Sequence, residues 1–136
     1  MRATVVVASL LVLLTACALA SAGTGGGTSL TVTYWERGMA QGEPVRWTLR
    51  CTPARGTLPR PVRACRKLAT APAGIFAPVP SELLCTQIYG GPQQARVVGT
   101  FRGDRVHATF GRADGCELAR WNRLSPWLLP AGLLPR

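Results

Sequence analysis

Histidine, acid and serine are all scarce in this chain, and each scarcity closes off a class of chemistry. His107 is the one histidine, and alternation places it on the less apolar side of a strand, with no second group for acid–base work. The six acids, Glu36, Glu43, Glu82, Asp104, Asp114 and Glu117, form neither a paired-carboxylate nor a metal-ligand pattern. Beyond residue 20 the serines are Ser21, Ser29, Ser81 and Ser125, none of them in a nucleophile motif. No Cys-x-x-Cys exists to suggest zinc. Gly25-Gly26-Gly27 precedes a strand and opens no helix, so it is not a phosphate loop. No internal repeat is visible, and no segment after the amino terminus is long and apolar enough to cross a membrane. The expectation is a protein that is not an enzyme and takes no metal and no cofactor.

Positive charge is plentiful. The formal net charge is +10, and loss of Arg2 with a leader would make it +9. A polyanion or membrane-surface partner would be the functional meaning of such an excess. Yet Arg46, Arg50, Arg60, Arg63, Arg66, Arg96, Arg102, Arg105 and Arg112 are spread along the sequence rather than clustered. Without a basic stripe or a matching fold motif, nucleic acid is not expected.

Residues 1–22 read as a secretory signal peptide. Arg2 is followed by the apolar run Val5 to Leu14, and Ala18-Leu19-Ala20 and Ala20-Ser21-Ala22 offer cleavage near 20 or 22. Leu14-Thr15-Ala16-Cys17 also fits a lipobox, in which Cys17 would be lipidated and the chain held at the membrane. Residues 23–28 make a flexible leader, 29–130 one domain and 131–136 a tail. Cys51, Cys65, Cys85 and Cys116 remain, an even number that in a small secreted chain implies disulfides, with three connectivities open.

Leu30-Thr31-Val32-Thr33-Tyr34 alternates as a half-buried strand, and Val45, Trp47, Leu49 and Cys51 share one face of a second. Pro61 suits a first helical turn, with Val62, Cys65 and Leu68 following at helical spacing to about Thr70. Residues 71–80 read as loop, and Ser81 to Leu84 allow one turn at most. Arg96 to Phe101 and Arg105 to Phe110 make a hairpin about a Gly103-Asp104 turn, which also accounts for the adhesion-like Arg102-Gly103-Asp104. Asp114-Gly115 is a further turn, and Leu124 to Pro130 could supply a last apolar edge strand.

The stretch Leu84-Cys85-Thr86-Gln87-Ile88-Tyr89-Gly90-Gly91-Pro92 is distinctive. Gly and Pro punctuation marks a surface turn, yet Ile88 and Tyr89 are apolar. With Cys85 in a disulfide it becomes a pinned, exposed, extended segment, which is what a protease accepts as substrate.

The sequence resembles the Streptomyces subtilisin inhibitor family. Leu30 to Tyr34, Leu49-Arg50-Cys51-Thr52-Pro53, Gly56-Thr57-Leu58-Pro59, Ala64-Cys65, Cys85 to Tyr89, Gly99 to Gly103 and Cys116-Glu117-Leu118 fall in family order. The resemblance implies an α+β fold, a five-stranded antiparallel sheet with two short helices packed on it. It implies the bridges Cys51–Cys65 and Cys85–Cys116 and a homodimer formed through the sheets. It implies a secreted inhibitor of subtilisin-type serine proteases, with Gln87–Ile88 the reactive bond. Leu84, Cys85, Thr86 and Tyr89 would complete the protease-binding loop, and Asp114 would support it. The alternative is a non-inhibitory cell-envelope binding protein of the same fold, anchored through Cys17.

Overall fold

The computed structural model describes residues 26–132; the expected signal peptide, Cys17 and the end of the tail lie outside the described residues. Four antiparallel strands, β1 (Thr28–Trp35), β2 (Val45–Cys51), β3 (Gln94–Phe101) and β4 (Asp104–Phe110), form one sheet in the order β2-β1-β3-β4. Helices α1 (Pro61–Thr70) and α2 (Gly115–Leu124) pack on one face of it. The period-two alternation is what fixes the faces: Leu30, Val32, Leu49, Val97, Val106, Ala108 and Phe110 all point to the helices and are buried. Ala64 and Leu68 of α1 and Trp121 and Leu124 of α2 close the core from above. Tyr34 joins the helix-side ring cluster, its ring 6.0 Å from Trp47 and 6.2 Å from Trp121.

Two expectations about the sheet are corrected. Among the described residues the sheet has four strands, not five. The segment proposed as its apolar edge, Leu124 to Pro130, instead ends α2 and turns back on it. The N–H groups of Ser125, Leu128 and Leu129 donate to Trp121 or Leu124 carbonyls, and Leu128 and Leu129 are buried. Pro126 and Pro130 lack the N–H that a ladder would need. Gly27 accepts from the Gly103 N–H and the Thr100 hydroxyl, and Thr28 already belongs to β1.

The β3–β4 turn is also displaced by one residue, to Arg102-Gly103, both with positive φ, while Asp104 pairs with Phe101. From that turn the Arg102 side chain reaches α1. Its guanidinium donates to the carbonyls of Leu68, Ala69 and Ala71, closing the carboxy end of α1 with a cation where the helix dipole favours one. Within 71–80, read as loop, Ala73–Phe76 winds into a 3-10 turn that buries Phe76 edge-on to Phe101 at 5.4 Å.

Two disulfides hold these layers together. Cys51–Cys65 joins β2 to α1 with Cα atoms 5.5 Å apart, and Cys85–Cys116 joins the 80s loop to α2 at 5.4 Å. Both separations are ordinary for the bond.

Candidate functional site

Between the 3-10 turn and β3 the chain runs without regular structure, and its middle projects from the fold. Leu84 is 96% exposed, Ile88 60% and Tyr89 62%. Gln87 is exposed as well. Contiguous apolar exposure of this kind is uncommon on a free protein surface.

The segment is exposed but held. Cys85 is bridged to Cys116, and the Thr86 carbonyl accepts a 2.9 Å bond from the Gly115 N–H. On the far side the Gly90 N–H donates to the Arg112 carbonyl at 2.7 Å. The Gln87–Ile88 bond therefore lies between two backbone anchors, one on each side. Gly115 permits the first, because a Cβ there would strike the Thr86 hydroxyl. Gly90 permits the second; it is buried, and a Cβ would enter the Leu118 side chain. The glycine after Tyr89 is thus a packed contact rather than slack in the loop.

Asp114 acts at one remove. Its carboxylate accepts from the Glu117 N–H at 2.9 Å, capping α2, and so fixes the helix start from which Gly115 and Cys116 reach the loop. Cys85, Asp114 and Cys116 lie within 4.8 Å of one another, a spacing metal ligands also show. Both sulfurs are committed to the disulfide and the carboxylate to the cap, so the trio is a staple.

Below it, Arg120 carries the approach to the loop. This nearly buried guanidinium donates to the carbonyls of Ala77 at 2.9 Å and Thr109 at 3.1 Å and pairs with Glu117 at 2.9 Å. Its charge lies 4.4 Å from the Phe110 ring centroid. Glu117 in turn accepts from the Gly111 N–H. The segment leading into the loop, β4 and α2 are thereby tied at one point. Arg120 did not stand out in the sequence. A signal for α2 existed, however: Asp114 three residues before Glu117 is a capping pattern, and Leu118, Trp121 and Leu124 follow at helical spacing. An open cleft of about 510 Å3 flanks the loop, lined by Pro80, Leu83, Leu84, Thr86, Cys116 and Arg123 among others.

The domain is a disulfide-stapled α+β fold that presents an exposed segment, held by backbone hydrogen bonds on both sides of the Gln87–Ile88 peptide bond. The chain belongs to the subtilisin inhibitor-like family, whose family model matches residues 26–111. That match includes the exposed loop and ends before Asp114, Cys116 and α2. Among solved structures, the crystal structure of Streptomyces caespitosus sermetstatin in complex with Bacillus licheniformis subtilisin contains a similar fold, with a TM-score of 0.52 and 23% identity. The likeness covers 78% of this chain and 100% of that one. A comparison with curated proteins returns no match.

Proposed function

We propose that this protein is a secreted, substrate-like inhibitor of subtilisin-type serine proteases, with Leu84 to Tyr89 as its binding loop and Gln87–Ile88 as its reactive bond. It performs no chemistry of its own. Membership of the subtilisin inhibitor-like family supports the class of target. The observation that carries the assignment to this bond is its pair of anchors, Thr86 to Gly115 and Gly90 to Arg112.

The mechanism follows from those anchors. A free peptide loses conformational entropy when a protease aligns it; a loop already extended loses little, so more of the contact energy appears as affinity. Leu84, Ile88 and Tyr89 offer apolar surface to the protease's substrate-binding cleft, and Gln87 enters its primary specificity pocket. Attack of the protease serine on the Gln87 carbonyl forms the acyl-enzyme and releases the Ile88 amine. The acyl side remains fastened through Thr86 and the Cys85–Cys116 bridge. The amine side remains fastened through Gly90, so the new amine stays beside the ester it has left. Its return attack, which expels the serine and restores the peptide bond, is an intramolecular step at high effective concentration. Hydrolysis therefore competes poorly.

The test is to incubate the protein with subtilisin, follow residual protease activity and sequence the fragments. Stoichiometric loss of activity with one slow nick between Gln87 and Ile88 is expected. Full protease activity without that nick sinks the reading.

A further inference from the structure

The loop's return to the sheet closes on a buried cation. Arg112 and Gln93 are both buried, and the Arg112 Nη1 donates to the Gln93 carboxamide oxygen at 3.0 Å. The Arg112 carbonyl also accepts the 2.7 Å bond from the Gly90 N–H. Arg112 therefore takes hold of the loop exit twice, once by main chain and once by side chain, with only Gly91 and Pro92 between the two grips. Gly91 has a φ of 129°, and a Cβ there would strike the Gln93 carboxamide. The turn from Gly90 to Gln93 is shaped around this guanidinium.

The guanidinium is itself held from a third direction. It lies 5.9 Å from the centroid of the Trp121 ring, and Gly132 packs so closely that a Cβ at 132 would enter it. The segment that carries Gly132 is tied to α2. The Pro130 carbonyl accepts from the Trp121 indole N–H at 3.0 Å and from the Ser125 hydroxyl at 3.1 Å. A route of contacts thus runs from the carboxy-terminal segment through Arg112 to Gly90, two residues beyond Ile88. The family match ends at residue 111, so all of this route except the loop exit lies outside it. Burying a guanidinium carries a large desolvation cost, and an apolar side chain would fill the same space without it. What arginine adds is a planar fork that fixes the direction of its neighbours.

We propose that Arg112 is a positioning residue for the amine side of the reactive bond, and that the carboxy-terminal segment Pro130 to Gly132 holds it in place. The inference rests on the inhibitory reading. After attack on Gln87 the Ile88 amine must stay beside the acyl ester, and Gly90 is the fixed point that keeps it there. Arg112 makes and breaks no bond; it acts through the Gly90 N–H and through Gln93. With the clamp intact, the amine returns, expels the protease serine and restores the peptide bond. With the clamp loosened, water attacks the ester instead, and a Gln87 carboxylate and an Ile88 ammonium accumulate. The persistence of inhibition is thus governed from the carboxy-terminal end of the domain, by residues outside the loop.

Arg112→Lys, Gly132→Val and the two combined are compared with the unmodified protein by amide hydrogen exchange and by reaction with subtilisin. The Gly90 and Gly115 N–H groups report on the two anchors within one molecule, so a loss of global stability moves both alike and leaves their ratio unchanged. Either single substitution should speed exchange at Gly90 at least about five-fold relative to Gly115. The equilibrium ratio of nicked to intact protein, approached from both sides with catalytic subtilisin, should rise at least about five-fold. The double variant should be no worse than the worse single one, because both act through the same guanidinium. Gly132→Val leaves the buried cation in place and decides the matter if Arg112→Lys does not fold. An unchanged Gly90 to Gly115 ratio, additive effects, or faster exchange at Gly90 with no rise in the nicked fraction overturns the proposal. If the unmodified protein fails to inhibit subtilisin, the inhibitory reading falls and takes this role with it; normal inhibition with unmoved exchange at Gly90 overturns the role of Arg112 alone.

Discussion

At Gln87 the side-chain amide donates back to the Cys85 carbonyl at 3.4 Å, a long contact on an exposed loop that gives way easily to a protease pocket. A neutral, unbranched side chain suits a broad pocket and leaves an acidic one without its charge partner. Gln87→Lys is therefore expected to tighten inhibition of trypsin-like enzymes at least about 100-fold while changing that of subtilisin less than about 10-fold. Inhibition constants against both enzymes decide it; no gain toward trypsin would move the primary contact to another residue. Gly115 separates positioning from stability. Alanine is the better helix residue by up to about 1 kcal/mol, yet its Cβ must push Thr86 aside. Gly115→Ala should leave the melting temperature within about 5 °C while subtilisin consumes the inhibitor at least about 10-fold faster, as judged by the rate of Gln87–Ile88 nicking. An unchanged lifetime would mean that the Thr86 anchor does not govern the loop.

Elements differed in how plainly the sequence announced them, and the reason lies in what each signal measures. β1, β2 and the β3–β4 hairpin were legible because alternation records a sheet with one face buried, and α1 because Pro61 and the Val62, Cys65, Leu68 spacing record a helix start and stripe. The Leu124 to Pro130 run was misread because a short apolar run is the same whether it lies in a strand or folds over a helix end. The exposed loop could be placed from Cys85 and the Gly90-Gly91-Pro92 punctuation. Its support could not, since the Gly115 and Arg112 contacts exist only after α2 has packed. Arg120 belongs to that hidden part. Arg120→Met would leave Glu117 without its cation and Ala77 and Thr109 without a donor, at an expected cost of about 3 kcal/mol in urea unfolding. Adding Glu117→Gln removes the orphaned charge and should recover about 1 kcal/mol of it. If the two substitutions are simply additive, the network does not act as a unit.

For the whole molecule, helix packing hangs the loop from α2, apart from the joint between β2 and α1. The two disulfides follow the same division. Cys51–Cys65 closes a separation of 14 residues between β2 and α1, away from the loop; Cys85–Cys116 closes 31 and fastens the loop itself. Chain entropy alone makes their contributions similar, about 3 and about 4 kcal/mol. Stability measurements on the two cysteine-pair deletions to serine should therefore look alike, each lowering the melting temperature by at least about 12 °C. Function should not follow stability. Without Cys51–Cys65 the anchors around Gln87–Ile88 are intact, and subtilisin should still be inhibited at temperatures where the domain stays folded. Without Cys85–Cys116 the acyl side is held by the single Thr86–Gly115 hydrogen bond, about 1 kcal/mol, which opens readily. The acyl fragment then drifts from the Ile88 amine, religation loses its advantage, and the protein becomes an ordinary substrate, cut to completion and releasing active protease. Inhibition assayed over hours at a temperature where both variants are folded distinguishes the outcomes. Equal persistence of inhibition in the two variants would show that stapling the loop contributes only through global stability.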